Sequence, residues 1–465
     1  MKKYQSWGHY PYAPPAEAKV ISWRDALPEL DKLDKKVLPY GLGRSYGDSC
    51  LNEGGIVLDT SGLNRFISFD EETGIIRCDS GVSLAEILEV VVPRGWFLPV
   101  TPGTKFVTIG GAIANDVHGK NHHVAGTFGC HVTQFELLRS NGQRLLCSPT
   151  ENADLYAATI GGLGLTGLIL WAEFKLQPIE NSLIDKEQIK FHNLEEFFEL
   201  ADVSDRDFDY TVSFIDCLAT GKNLGRGLFM RGNHDRSRYR SSMVPKKKLP
   251  LKAPFDTPSV LLNKLTLTAF NTMYYNTQLV KRTRKLVSYD PFFYPLDSVQ
   301  DWNRLYGDDG FMQYQFVVPF DNGYEVVKEA LERIQASGVG SFLGVLKKFG
   351  YVESPGMLSF PRPGVTAALD FPVRGTQIFQ LLNELDQLVK VNGGRVYPAK
   401  DARMSAESFQ AFYPNWRDFA RFVDPQFSSS FWRRVTVNTE PEQPQTSSKA
   451  RGKQKQQQPV LTNKQ

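Results

Sequence analysis

The chain has 465 residues, in which 54 Lys and Arg residues oppose 51 Asp and Glu residues, so its formal net charge is +3. This near balance excludes a protein whose main task is to coat nucleic-acid phosphates, and 41% hydrophobic with 23% charged residues excludes a disordered or fibrous chain. The length predicts a globular protein of up to about three domains.

The sequence contains no run of about 18 uncharged apolar residues, which a membrane-spanning helix would need. Its N-terminus lacks the apolar stretch of a secretory signal. The number of cysteines is odd, and they are widely spaced, at Cys50, Cys78, Cys130, Cys147 and Cys217. These features predict a cytoplasmic protein with reduced thiols.

In the first third of the chain, short apolar runs separated by glycines predict strands at residues 56–59, 66–69, 74–78, 135–138 and 145–147. One helix is clearly indicated among them. Ser83 and Glu86 have the spacing of a capping box, and apolar residues then recur every three or four positions from Leu84 to Val91. Pro93 follows and is expected to end this helix.

The middle of the chain, from 181 to 394, alternates between the two kinds of pattern. Helical periodicity occurs at 194–202, 324–337 and 375–391, and strand-like runs occur at 311–318 and 366–371. This order predicts a separate α+β domain in which one face of an antiparallel sheet is exposed.

Two segments differ from the rest in composition. From Thr436 onward the chain is polar and rich in Gln, which predicts a disordered tail after a folded body that ends near Val435. Between 231 and 248, a single acidic residue, Asp235, opposes seven basic ones: Arg231, Arg236, Arg238, Arg240, Lys246, Lys247 and Lys248. We expect an exposed basic loop, which either is simply solvated or attaches the protein to anionic lipid.

Three glycine-rich segments stand out, at 41–48, at 102–123 and at 161–169. Glycines let backbone N–H groups approach a phosphate closely, although a single such loop is often a plain turn. A dinucleotide-binding Rossmann turn would require glycine where Tyr46 stands, and a strand follows instead of a helix. Three such segments in one β-rich region favour packing around one large, flat ligand that carries phosphate.

Together these segments resemble the FAD-binding domain of the vanillyl-alcohol-oxidase type flavoproteins. The strings GLGRSYGD, DVHGKNHH, FMQYQF, DFP and AKDAR, in this order, are similar to the decaprenylphosphoryl-β-D-ribose 2-oxidase family, and the resemblance covers about 7–434. It implies a two-domain, α+β, PCMH-type FAD-binding fold whose substrate domain is built on an antiparallel sheet. The implied domains are FAD-binding (1–180), substrate-binding (181–393) and a segment returning to the FAD domain (394–435), before the polar tail (436–465).

The resemblance also implies which residues contact FAD. They are Gly41, Leu42, Gly43, Arg44, Ser45, Tyr46, Gly47, Asp48, Ser49, Gly103, Thr108, Ile109, Gly110, Gly111, His118, Gly119, Lys120, Asn121, Ile169 and Tyr397. Many relatives bond flavin covalently through a histidine in the first loop. Tyr46 occupies that place here and cannot form this bond, so we expect non-covalent FAD.

The implied catalytic residues are Lys400, His118 and Tyr397, and which of them accepts the substrate proton stays open at this point. The implied substrate contacts are Gln313, Gln315, Lys347, Thr366 and Lys400. Without the resemblance, Lys400 would be interpreted as a solvated surface charge. The three histidines at 118, 122 and 123 lack a matching Cys or carboxylate pattern, so no metal site is predicted. The family has Asn and Cys where this chain has Thr366 and Ala368, which puts details of substrate recognition in question.

The implied reaction is oxidation of the ribose 2-hydroxyl of a polyprenyl-phosphate ribose to the 2-keto sugar. This is the first step of epimerisation to the arabinose donor for cell-wall polysaccharide. A separate NAD(P)H-dependent short-chain reductase would complete the epimerisation, and the lipid-linked substrate implies peripheral contact with the inner face of the membrane. One alternative is an alditol or sugar-lactone oxidase that uses oxygen. The other is a nucleic-acid-associated protein with a vestigial flavin site, whereas the preferred interpretation has no nucleic-acid partner.

Overall fold

The computed structural model describes residues 3–237, 251–252, 263–342 and 344–437. Its strands are β1 (Glu17–Val20), β2 (Val37–Tyr40), β3 (Ile56–Asp59), β4 (Phe66–Asp70), β5 (Ile75–Asp79), β6 (Trp96–Phe97), β7 (Val132–Leu138), β8 (Arg144–Cys147), β9 (Leu168–Lys175), β10 (Gln177–Pro178), β11 (Leu183–Phe191), β12 (Tyr210–Ile215), β13 (Gly227–His234), β14 (Leu251–Lys252), β15 (Arg282–Ser288), β16 (Val299–Gln300), β17 (Phe311–Val318), β18 (Gly344–Phe349), β19 (Gly364–Pro372) and β20 (Arg395–Val396).

The α-helices are α1 (Leu84–Val91), α2 (Ile109–Ala114), α3 (His122–Ala125), α4 (Ala153–Thr159), α5 (Leu194–Ser204), α6 (Lys264–Tyr275), α7 (Tyr289–Phe293), α8 (Gly323–Ser337), α9 (Gln377–Val391), α10 (Ala406–Phe412), α11 (Trp416–Ala420) and α12 (Ser430–Val435). In the part of the chain that the structure describes, no helix is long and apolar enough to cross a membrane.

The N-terminal part is built on two sheets. Strands β1, β3 and β2 form a parallel sheet in that order, and β4, β5, β9, β7 and β8 form an antiparallel one. The predicted strands are present, and α1 has the predicted capping box, in which the Ser83 hydroxyl accepts from the Glu86 N–H and the Glu86 carboxylate accepts from the Ser83 N–H. Helices α2 and α4 were not expected from the sequence.

The middle of the chain forms an eight-stranded sheet in which every pairing is antiparallel, with the order β15-β11-β13-β12-β18-β19-β17-β20. Helices α5, α8 and α9 pack over one face, and the apolar core between them and the sheet is continuous. The other face meets the N-terminal part, since Val212 and Met230 share a core with Ile76. The expected α+β class and antiparallel sheet are therefore confirmed, but the expected exposed face is wrong for the central strands, which are covered on both sides.

The segment after residue 394 connects both parts. Strand β20 adds to the edge of the eight-stranded sheet beside β17. Further along, Phe427 forms a bridge with Val37 of the parallel sheet. The Arg434 guanidinium then lies 2.7 Å from the Asp48 carboxylate and 2.8 Å from that of Asp401. These contacts hold the C-terminal segment against the first glycine-rich loop, while the exact domain boundaries stay a prediction.

The predicted basic loop needs one correction. Arg231 is buried in β13, where its Nε donates to Glu187 at 2.6 Å and its Nη1 donates to the Ser204 hydroxyl at 2.9 Å. Its charge is therefore satisfied inside the protein, whereas Arg236 is exposed. The other basic residues of that segment, Arg238, Arg240 and Lys246 to Lys248, lie outside the described residues, as does the predicted tail from residue 438.

Candidate active site

A deep cavity lies between the N-terminal part and the eight-stranded sheet, and all three glycine-rich segments line it. Most of the residues predicted to contact cofactor or substrate are on its wall: Gly41, Leu42, Gly43, Arg44, Ser45, Tyr46, Ser49, Gly103, Thr108, Gly110, Gly111, His118, Gly119, Lys120, Ile169, Gln313, Gln315, Lys347, Thr366, Tyr397 and Lys400. Segments up to about 360 residues apart in the chain thus meet at one place.

The glycines of the first loop are required by close packing. Gly43 has a φ of +63°, and a Cβ there would collide with the Tyr40 hydroxyl. A Cβ on Gly41 would collide with the side chain of Thr108. Thr108 in turn caps α2 by accepting from the Gly111 N–H at 3.1 Å. The first loop and the second glycine-rich segment therefore pack directly on each other.

Four predicted cofactor contacts lie behind the wall instead of on it: Gly47, Asp48, Ile109 and Asn121. Asp48 is buried against Arg434, and Ile109 belongs to the apolar core. Asn121 donates to the Pro99 carbonyl at 2.8 Å. A Cβ on Gly47 would collide with the Asp401 backbone. The side chains of Asp48, Ile109 and Asn121 are already used by protein groups, and there is no room for a side chain at Gly47. Contact of these four residues with FAD therefore stays a prediction.

The polar groups of the wall fit FAD. Among the described residues, Arg44 Nε, Ser49 Oγ, Ser80 Oγ and His118 Nδ1 are buried without a hydrogen-bond partner, and all four residues line the cavity. Buried polar groups are normally paired, so such a concentration indicates a polar ligand. The glycine-lined part of the wall would admit a pyrophosphate, and these four groups are available to a bound cofactor.

The hydrogen bonds around His118 fix its tautomer. The Thr366 hydroxyl donates to the Phe316 carbonyl at 2.8 Å, so Thr366 can only accept from the Gln315 amide nitrogen, at 3.4 Å. The same nitrogen lies 3.0 Å from His118 Nε2, which must therefore accept. Burial and the nearby Lys347 ammonium hold the pKa of His118 well below its usual value. The imidazole is neutral, and its proton is on Nδ1, which has no protein partner.

Lys400 lines the same cavity as this network. Its Nζ is 3.7 Å from the centre of the Tyr46 ring, and burial lowers the pKa of its ammonium while the Asp370 carboxylate opposes that shift. Asp370 accepts from Gln313 Nε2 at 2.6 Å, and burial raises the pKa of its carboxyl. The role of Asp370 was missed from the sequence. The string DFP, which contains Asp370, was the available signal, and the structure places Asp370 directly opposite Gln313 in the β17–β19 pairing.

Tyr397 and Lys347 are both held by backbone carbonyls. The Tyr397 hydroxyl donates to Asn115 O at 2.7 Å, its ring stacks on Phe360, and burial keeps its pKa well above the usual value. The Lys347 ammonium donates to Gly119 O, and burial holds its pKa well below normal. Tyr397 is therefore committed as a donor and is unsuited to accept a proton.

The sequence did not indicate the apolar part of the wall. It comes from the eight-stranded sheet and from α7, through Val212, Phe214, Phe293, Val345 and Phe349. Such residues are typical of any buried strand, so only the tertiary structure shows that these side chains face a cavity. In the described residues, no group of three or more His, Cys, Asp or Glu side chains could hold a metal ion.

Comparisons with known proteins agree with this geometry. A family model described as an FAD binding domain matches residues 22–148. The decaprenylphosphoryl-beta-D-ribose oxidase of Mycolicibacterium smegmatis is 38% identical over 464 residues, which cover 94% of this chain and 98% of that protein. The chain belongs to this oxidase family. It is an FAD-dependent oxidoreductase, and its cofactor is FAD.

Other relatives include flavin enzymes and a protein without a named activity. An uncharacterized protein in the mprA 5' region of Streptomyces coelicolor is 33% identical over 370 residues, which cover 76% of this chain and all of that protein. A putative D-arabinono-1,4-lactone oxidase of Neurospora crassa is 32% identical over 146 residues, or 31% of this chain and 26% of that protein. The similarity to the lactone oxidase is thus partial, whereas that to the ribose oxidase extends over nearly the whole chain.

Proposed function

We propose that this protein oxidises the 2-hydroxyl of decaprenylphosphoryl-β-D-ribose, or of a similar polyprenyl-phosphate sugar, to the 2-keto intermediate. This is the first step in making the arabinose donor for cell-wall polysaccharide. The observation that carries the proposal is Lys400, an amine of lowered pKa that lines the FAD cavity together with Gln313 and the neutral His118. Near full-length similarity to the mycobacterial ribose oxidase supports the choice of substrate.

Bound FAD supplies an acceptor for the hydride that leaves the sugar carbon. The residues of this chain handle the proton. Lys400 accepts the hydroxyl proton at Nζ, because its lowered pKa favours the neutral amine, and the resulting ammonium is stabilised by the Asp370 carboxylate. His118 can donate a hydrogen bond from Nδ1 to a molecule bound in the cavity, since its Nε2 accepts from Gln315. Tyr397 donates a hydrogen bond to Asn115 O and so fixes this part of the wall.

The direct test is anaerobic. Addition of a polyprenyl-phosphate ribose to the oxygen-free holoenzyme should bleach the visible flavin band, and the matching 2-deoxyribose compound should not. Bleaching by both compounds would contradict oxidation at C2. If neither compound bleaches the flavin, while simple polyols do so and yield peroxide in air, the alditol or sugar-lactone oxidase is the correct alternative. The similarity to a named oxidase favours either enzyme over a nucleic-acid-associated protein.

The proposed reaction requires a second enzyme. The 2-keto sugar reaches arabinose only if a hydride is returned to C2 from the other face, and an NAD(P)H-dependent short-chain reductase supplies this chemistry. The expected result is that product from this protein oxidises NADPH or NADH only when such a reductase is added. Oxidation of the nicotinamide without the reductase would contradict the proposed requirement for a second enzyme.

We also propose peripheral membrane contact, because the lipid chain of the substrate resides in a membrane. Exposed apolar side chains near the cavity support this idea: Leu265 and Met273 on α6 are 79% and 62% exposed, and Leu279 beyond the helix is 88% exposed. Helix α6 adjoins the cavity, since Tyr274 packs edge-on against Phe214 of the wall. Flotation with anionic vesicles at low salt tests the contact, and failure to bind would remove it.

A further inference from the structure

Two lysines face each other across the outer strands of the eight-stranded sheet. Lys186 of β11 is directly opposite Lys285 of β15. Their side chains therefore lie on the same face of the sheet, as do those of Ile184 and Val287, which pack toward the N-terminal part of the protein. Like charges directly opposite each other destabilise a sheet. This pair therefore carries a cost that calls for a functional reason.

A third lysine extends the pair to the cavity. Lys120 lies on the cavity wall, where its Nζ donates to Phe293 O at 3.0 Å, and its own carbonyl accepts from Thr211 of β12 at 3.0 Å. Burial and the charge of Lys186 lower the pKa of Lys120 to about 8, and burial and the charge of Lys285 lower that of Lys186 to about 8. Strand register also connects the pair to Lys120: Lys186 is opposite Gly232, Gly232 is opposite Tyr210, and the Tyr210 ring packs 4.8 Å from that of Phe293, whose carbonyl accepts from Lys120. The three lysines thus lie along one path, from exposed Lys285 through half-buried Lys186 to the wall.

Neighbouring cations on β15 or directly before it form ion pairs with carboxylates, but these three lysines do not in the part of the chain that the structure describes. Arg284 pairs with Asp185, Arg282 with Glu187 and Lys281 with Glu196. By contrast, none of the three lysines has a carboxylate within ion-pair distance among the described residues, although Asp297 acts on Lys120 from farther away. A row of unpaired ammonium groups that leads to a ligand cavity matches the charge of a bound anion.

We propose that Lys120, Lys186 and Lys285 bind the phosphate of the polyprenyl-phosphate sugar. The identity of the sugar rests on the proposed function. Two features of the position favour this group over the pyrophosphate of FAD. Lys186 and Lys285 belong to the outer strands of the sheet, whereas the glycine-rich loops are in the N-terminal part, and the wall beside Lys120 is apolar, through Val212 and Phe293. This wall would suit the first isoprene units of the lipid.

The test measures binding without chemistry. Farnesyl phosphate, which lacks a sugar, is titrated into the FAD-loaded holoenzyme by calorimetry, with farnesol and inorganic phosphate as comparison ligands. We expect Lys186→Met and Lys285→Met each to raise the Kd for farnesyl phosphate about tenfold or more. Lys190→Met is the matched control. Lys190 is on β11 and on the same face as Lys186, but its ammonium already donates to Asn276 and Gln278.

Each outcome decides one question. Unchanged Kd in both variants, loss of FAD from either variant, or equal affinity for farnesyl phosphate and inorganic phosphate would overturn the assignment. A loss of affinity in the two variants but not in Lys190→Met would support it. If this loss is found and the holoenzyme still fails to oxidise a polyprenyl-phosphate ribose, the anion site stands and the proposed function fails. If all variants oxidise the polyprenyl-phosphate ribose with the same KM, the proposed function stands and the anion site fails.

Discussion

The Nζ atom of Lys400 lies 3.7 Å from the centre of the Tyr46 ring. Tyr46 occupies the position in the first glycine-rich loop where many relatives carry the histidine that links covalently to flavin. Lys400 comes from the other end of the chain, in the segment that returns to this loop. An amine of lowered pKa and a phenol ring are thereby placed together on the cavity wall.

Replacing Lys400 with Ala should reduce the rate of flavin reduction by substrate about 100-fold or more, because the substrate proton then has no positioned acceptor. Stopped-flow measurement under anaerobic conditions gives this rate. Lys348→Ala is the control, since Lys348 pairs with Asp202 away from the cavity. Similar losses in the two variants would count against a role for Lys400 in proton transfer.

The pH dependence of flavin reduction should follow Lys400. Because the neutral amine is the active form and burial lowers its pKa, the rate should rise with pH through a pKa below the ordinary lysine value of 10.5. Asp370 raises the pKa of Lys400. Asp370→Asn should therefore move the rising limb to lower pH. A limb that stays in place, or moves to higher pH, would show that another group is the base.

Thr366 should control the orientation of Gln315 and, through it, the tautomer of His118. Thr366→Val removes the acceptor for one Gln315 N–H, so we expect about a tenfold slower flavin reduction, whereas Thr366→Ser should retain the rate. Nitrogen NMR of labelled histidine provides an independent measurement. The proton of His118 should be on Nδ1 in the wild-type protein, and finding it on Nε2 would refute the inferred hydrogen-bond direction.

Arg434 should stabilise the folded protein strongly. Its removal leaves the buried carboxylates of Asp48 and Asp401 without their cation, so Arg434→Ala should lower the free energy of unfolding by about 3–5 kcal/mol. Arg421→Ala removes an exposed pair with Asp418 and should cost less than about 1 kcal/mol. Denaturant unfolding measures both, and a comparable small effect in the two variants would mean that Arg434 does not anchor the C-terminal segment.

FAD should be released from the unfolded protein. A tyrosine at position 46 cannot form the histidyl bond to flavin, so acid precipitation should leave the yellow colour in the supernatant. The measurement is the flavin absorbance of the two fractions. Flavin that remains with the protein pellet would demonstrate a covalent link at some other residue.

Local features of the sequence were sufficient for much of the fold. The strand at Ile56–Asp59 and the helix after Ser83 were predicted because periodicity and capping depend on residues close in the chain. The glycine-rich segments indicated the cavity, and at Gly41, Gly43 and Gly47 a Cβ would collide with neighbouring atoms. The family resemblance then indicated FAD as the cofactor and Lys400 as a candidate catalytic residue.

The tertiary structure decided what depends on distant contacts. The sequence predicts that Arg231 belongs to an exposed basic loop, but in the structure it is buried and paired with Glu187, 44 positions away. The Asp48 carboxylate accepts from Arg434, 386 positions away, a partner that the sequence does not indicate. The facing lysines at 186 and 285 became visible only through strand register. Charge and hydrogen bonding act through space, so the partner of a polar group is determined by the fold and cannot be derived from its neighbours in the chain.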